Sequence, residues 1–168
     1  MNATSENRDE FSAQDAVRAA ENLAVLWRSG GTLGDAMDIT ADECEALYAF
    51  GHAQYQQGKY SDAFKAFAQA TIYNHMEHRY QAAAGAAAQM LGRYEDALRH
   101  YLAVTVMKLD DPAPVYHCAE CLLAMGKLPE AAETLEMVAD MCKDAEHAGL
   151  KSRAQALLKA LKTKMAAK

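Results

Sequence analysis

Few residues in this chain could carry chemistry. Cys118 and Cys121 stand three apart in the run His117-Cys118-Ala119-Glu120-Cys121, which is the spacing of a redox thiol pair or of half a zinc site. A closed zinc site needs four ligands, and no second CxxC occurs. Cys44 and Cys142 are isolated. The competing reading makes Cys118 and Cys121 small apolar packing residues. It is favoured because Cys118 occupies a position that its helix must bury. His75 and His78, in His-Met-Glu-His, have a metal-like spacing but fall where a turn is expected, and read as surface histidines. Gly-rich phosphate loops, nucleophile elbows and paired catalytic carboxylates are absent. The expectation is a protein that binds rather than catalyses, with no cofactor and no metal.

The elements that would position a binding surface show in a period. Gly58, Gly92 and Gly126 lie 34 residues apart, each followed by a basic residue (Lys59, Arg93, Lys127). Five residues past each glycine comes an alanine (Ala63, Ala97, Ala131), and four further on a bulky residue (Phe67, Tyr101, Leu135). Seven before each glycine stands a tiny one (Gly51, Gly85, Ala119). These offsets are the tetratricopeptide (TPR) pattern, in which each unit is a pair of antiparallel helices that buries its apolar face only against its neighbours.

The rest of the chain fits an all-α TPR solenoid. Only 3 Pro and 9 Gly occur in 168 residues, and good helix formers dominate. Residues 1–11 read as a flexible polar tail, and 12–39 as an N-terminal helix followed by a linker. Residues 44–145 read as three repeats (44–77, 78–111, 112–145), and 146–168 as a capping helix. Ser12 with Asp15 and Thr40 with Glu43 have capping-box spacing. Helices are expected at about 41–57, 60–73, 78–91, 94–107, 112–125 and 128–141. The N-terminal helix carries Leu23, Leu26 and Trp27 on an apolar stripe outside the repeat register; it must pack on the first repeat or on a second copy.

Charge narrows the partners. A net charge of -6 argues against nucleic acid, because phosphate neutralisation needs a cationic face. From Lys143 onward, however, the chain is net positive by about five, which leaves about -11 for everything before it. That basic end reads either as a solvated helix face or as an anion-binding tail. No apolar run is long enough to span a membrane and no leader is evident, so a cytoplasmic protein without direct membrane insertion is expected.

In a TPR solenoid the concave side is lined by the first helix of each unit. Repeat positions then place Tyr48, His52 and Tyr55 on one ridge, with Glu45 beside them. Arg79, Ala82, Ala86 and Gln89 come from the second repeat, and Tyr116, Glu120 and Leu123 from the third. An aromatic-walled trough with small residues between its walls suits an extended peptide with Leu or Pro anchors. The other reading has some of these tyrosines packing intramolecularly against the first helix. Arg79 is the one cation at these positions, so the capture of a C-terminal carboxylate, which needs several cations, is rejected.

The run Leu47-Tyr48-Ala49-Phe50-Gly51-His52-Ala53-Gln54-Tyr55-Gln56-Gln57-Gly58-Lys59-Tyr60, together with Ala119-Glu120-Cys121-Leu122-Leu123, resembles the class II chaperones of bacterial type III secretion systems, the SycD, LcrH and IpgC type. The resemblance spans about residues 12–145. It implies a cytoplasmic chaperone, important for bacterial virulence, that keeps hydrophobic translocator proteins soluble and apart before secretion. It places Tyr48, His52, Tyr55, Tyr60, Phe67 and Tyr116 in or behind the pockets for a Pro-x-Leu-x-x-Pro segment near the client's N-terminus. It also implies a homodimer formed through the N-terminal helix, and in some members a link to a transcriptional regulator. A generic TPR scaffold or regulatory adaptor is the alternative.

Overall fold

The computed structural model describes residues 12–166, apart from the side chains of Asp15 and Leu23. The tail expected at 1–11, the Asp15 half of the first capping box and the place of Leu23 in the apolar stripe lie outside the described residues. Nine α-helices follow one another among the described residues, with no strand: α1 (Ala13–Arg28), α2 (Leu33–Ala36), α3 (Ala41–Gln56), α4 (Tyr60–Tyr73), α5 (His78–Met90), α6 (Tyr94–Met107), α7 (Pro112–Ala124), α8 (Leu128–Met141) and α9 (Ala148–Ala166). A 3-10 turn at Ala145–His147 precedes α9. The six repeat helices end within one residue of where the pattern puts them.

The turn inside each repeat is the same device written three times. Gly58, Gly92 and Gly126 have φ of 74°, 71° and 75°, the left-handed region that glycine enters without steric cost. The next amide, of Lys59, Arg93 or Lys127, reaches back to the carbonyl of Gln54, Ala88 or Leu122 at 2.9–3.0 Å. This Schellman closure satisfies carbonyls the helix end would leave bare. A Cβ on any of the three would meet nothing within 4 Å, so backbone conformation alone selects glycine there. The next helices start under other caps: Glu77 accepts from the Arg79 amide, Asp111 from the Ala113 amide, and Pro112 sits in the first turn of α7.

Gly51 and Gly85 are glycines for a different reason. A Cβ at Gly51 would stand 2.5 Å from Cε1 of Phe67, and one at Gly85 would stand 3.0 Å from Cε1 of Tyr101. In the third repeat the partner is slimmer, Leu135, and the tiny residue grows to Ala119; both are wholly buried in one cluster. Size on one helix is therefore matched to size on its partner. The buried clusters run in series from Cys44, Ala70 and Tyr80, through Phe67 and Ala84, then Tyr101 and Cys118, to Leu135 and Val138.

Three segments outside the repeats add to the sequence reading. The stretch expected as a linker holds α2, capped by its own box in which Thr32 and Asp35 exchange hydrogen bonds. This turn rests on α4: a Cβ at Gly34 would lie 2.9 Å from the carbonyl oxygen of Tyr73. The capping helix is more than a solvating end. Ala154, 35 residues after Ala119 instead of 34, is fully buried with Leu161 in the cluster of Leu135 and Val138. Helix α9 thus takes the place of a fourth unit's first helix, one residue out of register because the turn before it is longer. In α1, Leu26 is half-buried against its own turn at Gly31, while Trp27 is 58% exposed; Val17 and Val25, exposed to a similar degree, join it as apolar surface.

Gly51→Ala is expected to lower stability by about 1–3 kcal/mol through overpacking against Phe67. The double variant Gly51→Ala/Phe67→Leu should recover part of that loss, as the Ala119–Leu135 pair does natively. Gly58→Ala should cost about 1–2 kcal/mol from backbone strain, with no relief from Phe67→Leu. Urea unfolding of the single and double variants measures both couplings. Strict additivity at Gly51 would contradict the packing account.

Candidate functional site: an aromatic trough across the first helices

Helices α3, α5 and α7 lie side by side, and the face they share carries most of the expected residues. On α3 the Tyr48 ring meets His52 edge-on at 4.5 Å, Phe67 at 5.7 Å and Tyr80 at 5.2 Å. One turn further along, Tyr55 meets Tyr60 edge-on at 5.1 Å. Tyr48, Tyr55 and Tyr60 are half-buried and His52 is exposed, so this wall offers ring faces already held in place by neighbouring rings. Ala82 and Ala86 of α5 are half-buried beside it and leave the trough open.

Polar ties lock the three helices at fixed spacing. Arg79 donates to Glu45 at 2.6 Å and to Glu77 at 3.1 Å, and lies over the Tyr48 ring at 5.4 Å. The Tyr80 hydroxyl donates to Glu45 at 2.8 Å, and this bond, with Arg79 beside it, holds the Glu45 carboxyl below the usual carboxylate range. Further along, the Tyr101 hydroxyl donates to Gln89 at 3.0 Å, Gln89 donates to Glu120 at 3.3 Å, and His117 Nδ1 lies 2.8 Å from the same Glu120 oxygen. Burial pushes the Glu120 carboxyl up, but the bonds from His117 and Gln89 outweigh it and hold the group low. Burial raises the hydroxyls of Tyr48, Tyr55 and Tyr116, which therefore stay protonated and able to donate.

Two expected site residues lie behind the trough surface, one of the two places the resemblance allows them. Phe67 is 1% exposed and backs the wall behind Tyr48 and His52 instead of lining it, because it fills the space that Gly51 leaves. Tyr116 is 9% exposed and packs in the cluster of α8 and α9, so it presents little more than an edge. Three participants were missed. Tyr80 bridges Tyr48 and Glu45, His117 stacks on Tyr101 at 4.9 Å, and Arg153 of α9 lies over Tyr116 at 5.8 Å. Repeat positions alone could not find Arg153, since α9 is one residue out of register.

No family model matches the chain. Low calcium response locus protein H of Yersinia pestis is 35% identical over 143 residues, covering 84% of this chain and 85% of that protein. A crystal structure of a type III secretion complex from Aeromonas hydrophila superposes with a TM-score of 0.80 at 32% identity, over 88% of this chain and 99% of that one. The Yersinia enterocolitica chaperone SycD, crystallised with a peptide of the translocator YopD, has a TM-score of 0.70 at 35% identity, over 76% of this chain and 98% of its own.

All four cysteines are buried. Cys118 and Cys121 are nearly inaccessible, and burial pushes their thiols up to about 12 and about 11, so thiolate is scarce at neutral pH. The described residues hold no group of three or more metal-ligating side chains. In the folded protein at pH 8, Cys118 and Cys121 should react with a disulfide reagent far more slowly than a free thiol, and all four cysteines should become reactive together in denaturant. Rapid native labelling that is lost in Cys118→Ser would instead support a reactive pair.

Proposed function

This chain belongs to the class II translocator chaperones of type III secretion, and on that premise we propose that its trough holds an extended N-terminal segment of hydrophobic translocator proteins, keeping them soluble and apart before secretion. The observation that carries this reading is the wall of Tyr48, His52 and Tyr55, whose rings are pre-positioned beside the small Ala82 and Ala86. Such a wall takes Leu or Pro anchors while the client backbone runs along the trough. A relative crystallised with a translocator peptide supports the same occupant.

The energetics suit a holding role. Burying two or three such anchors contributes roughly 1.5–3 kcal/mol each, offset by the cost of ordering the segment. A net of about -8 kcal/mol corresponds to a micromolar complex, tight enough to shield the client and loose enough to release it. A terminal carboxylate is a poor ligand here, because Arg79 is already engaged by Glu45 and Glu77. The protein would act in the bacterial cytoplasm without catalysing a reaction. It would pair with a second copy through the exposed apolar surface of α1, where Trp27 stands.

Tyr55→Ala should weaken binding of a translocator N-terminal segment at least tenfold while the chain keeps a cooperative unfolding transition, since Tyr55 is half-buried against Tyr60 at the edge of the Phe67 and Ala84 cluster. Unchanged affinity in fluorescence polarisation would remove the trough from the account. Co-expression of the wild-type chain should solubilise the full translocator, and Tyr48→Ala/Tyr55→Ala should not. Deleting residues 1–37 should give a monomer by light scattering; a dimer that persists would place the contact elsewhere.

A further inference from the structure

The two ends of the trough use their cations differently. At the α3 end, Arg79 is neutralised by Glu45 and Glu77. At the other end, Arg153 stands exposed over Tyr116, and among the described residues no carboxylate pairs with it and no hydrogen bond engages it. Glu120 lies close enough for the Arg153 charge to favour its carboxylate form. That carboxylate is already committed, accepting from Gln89 at 3.3 Å and lying 2.8 Å from His117 Nδ1. Arg153 therefore keeps its planar fork of donors free, with an aromatic ring beneath to hold it flat.

Position turns this free cation into a recognition element. Helix α9 continues the stack as a further first helix, with Ala154 buried where Gly51, Gly85 and Ala119 are buried in their own units. Its neighbour Arg153 reaches the α7 wall, while the chain before Lys143 is acidic. We propose that α9 forms a fourth wall of the trough and that Arg153 selects an acidic side chain flanking the client's apolar anchor, fixing the direction in which the segment lies. An acid at the opposite end would meet Glu45 and Glu77, whose charge repels it. At the α9 end it meets a guanidinium able to bind a carboxylate through two hydrogen bonds. This inference rests on the trough reading above.

The test uses short synthetic peptides of Pro-x-Leu-x-x-Pro pattern, each with a Glu beyond one end or the other, and Gln controls. Fluorescence polarisation at low salt should show one Glu peptide, and not the other, binding about threefold to fivefold more tightly than its control, as for a partly exposed ion pair. The advantage should fade at high salt, disappear in Arg153→Gln and survive in part in Arg153→Lys. The unfolding midpoint of Arg153→Gln confirms that the fold is intact. An advantage that persists in Arg153→Gln, or equal affinities for all peptides, would overturn the assignment of Arg153 while leaving the trough in place. Failure of every peptide to bind the wild-type chain would overturn both.

Discussion

The structure depends on one apposition repeated along the chain: a residue with little or no side chain on a first helix against a bulky one on its partner. Gly51 receives the Phe67 ring, Gly85 receives Tyr101, and Ala119 receives the slimmer Leu135. This contact sets how close the two helices of a unit lie, and hence where the outer face of the first helix points. A single unit cannot bury its remaining apolar face by itself, so the clusters form by stacking, and each one joins residues of adjacent units. Helix α9 closes the series, with Ala154 buried in the last cluster beside Leu135 and Val138.

Because that spacing is fixed, side chains from three helices can be tied into common networks. Glu45, Arg79 and Tyr80 join α3 to α5, and Gln89, Glu120 and His117 join α5 to α7, with Tyr101 of α6 anchoring the second group. These ties give the polar groups partners of their own and leave the rings of Tyr48 and Tyr55 half-buried along the wall. A rigid apolar wall lowers the entropy cost of binding to it, which is how a modest contact area can hold an extended segment. The family to which the chain belongs is consistent with this use of the fold.

Much of this was legible in the residues. The glycines at Gly58, Gly92 and Gly126 mark backbone conformations that few other residues adopt, and the pairs around Gly51 and Gly85 mark close approach; both constraints act locally, so both leave a readable period. What escaped depends on neighbours. The burial of Tyr116 comes from α9, whose register is shifted by one residue, and the same shift hid Arg153. Tyr80 stands in an alanine-rich helix, and the partner of its hydroxyl, Glu45, lies 35 positions earlier in the chain, beyond the reach of a local pattern. Helix α2 is a single turn, shorter than any periodicity can report, although its Thr32–Asp35 cap was in plain view.

The most direct measurement of the central claim is nuclear magnetic resonance mapping of the side chains that a translocator N-terminal segment perturbs as it is titrated in. The trough account requires the largest changes at the rings of Tyr48, His52 and Tyr55 and at the methyls of Ala82 and Ala86, with the exposed Leu102 and Val106 of α6 unmoved. Changes concentrated at Leu102 and Val106, with the Tyr48 and Tyr55 rings unaffected, would show that the client binds outside the trough and would contradict the account.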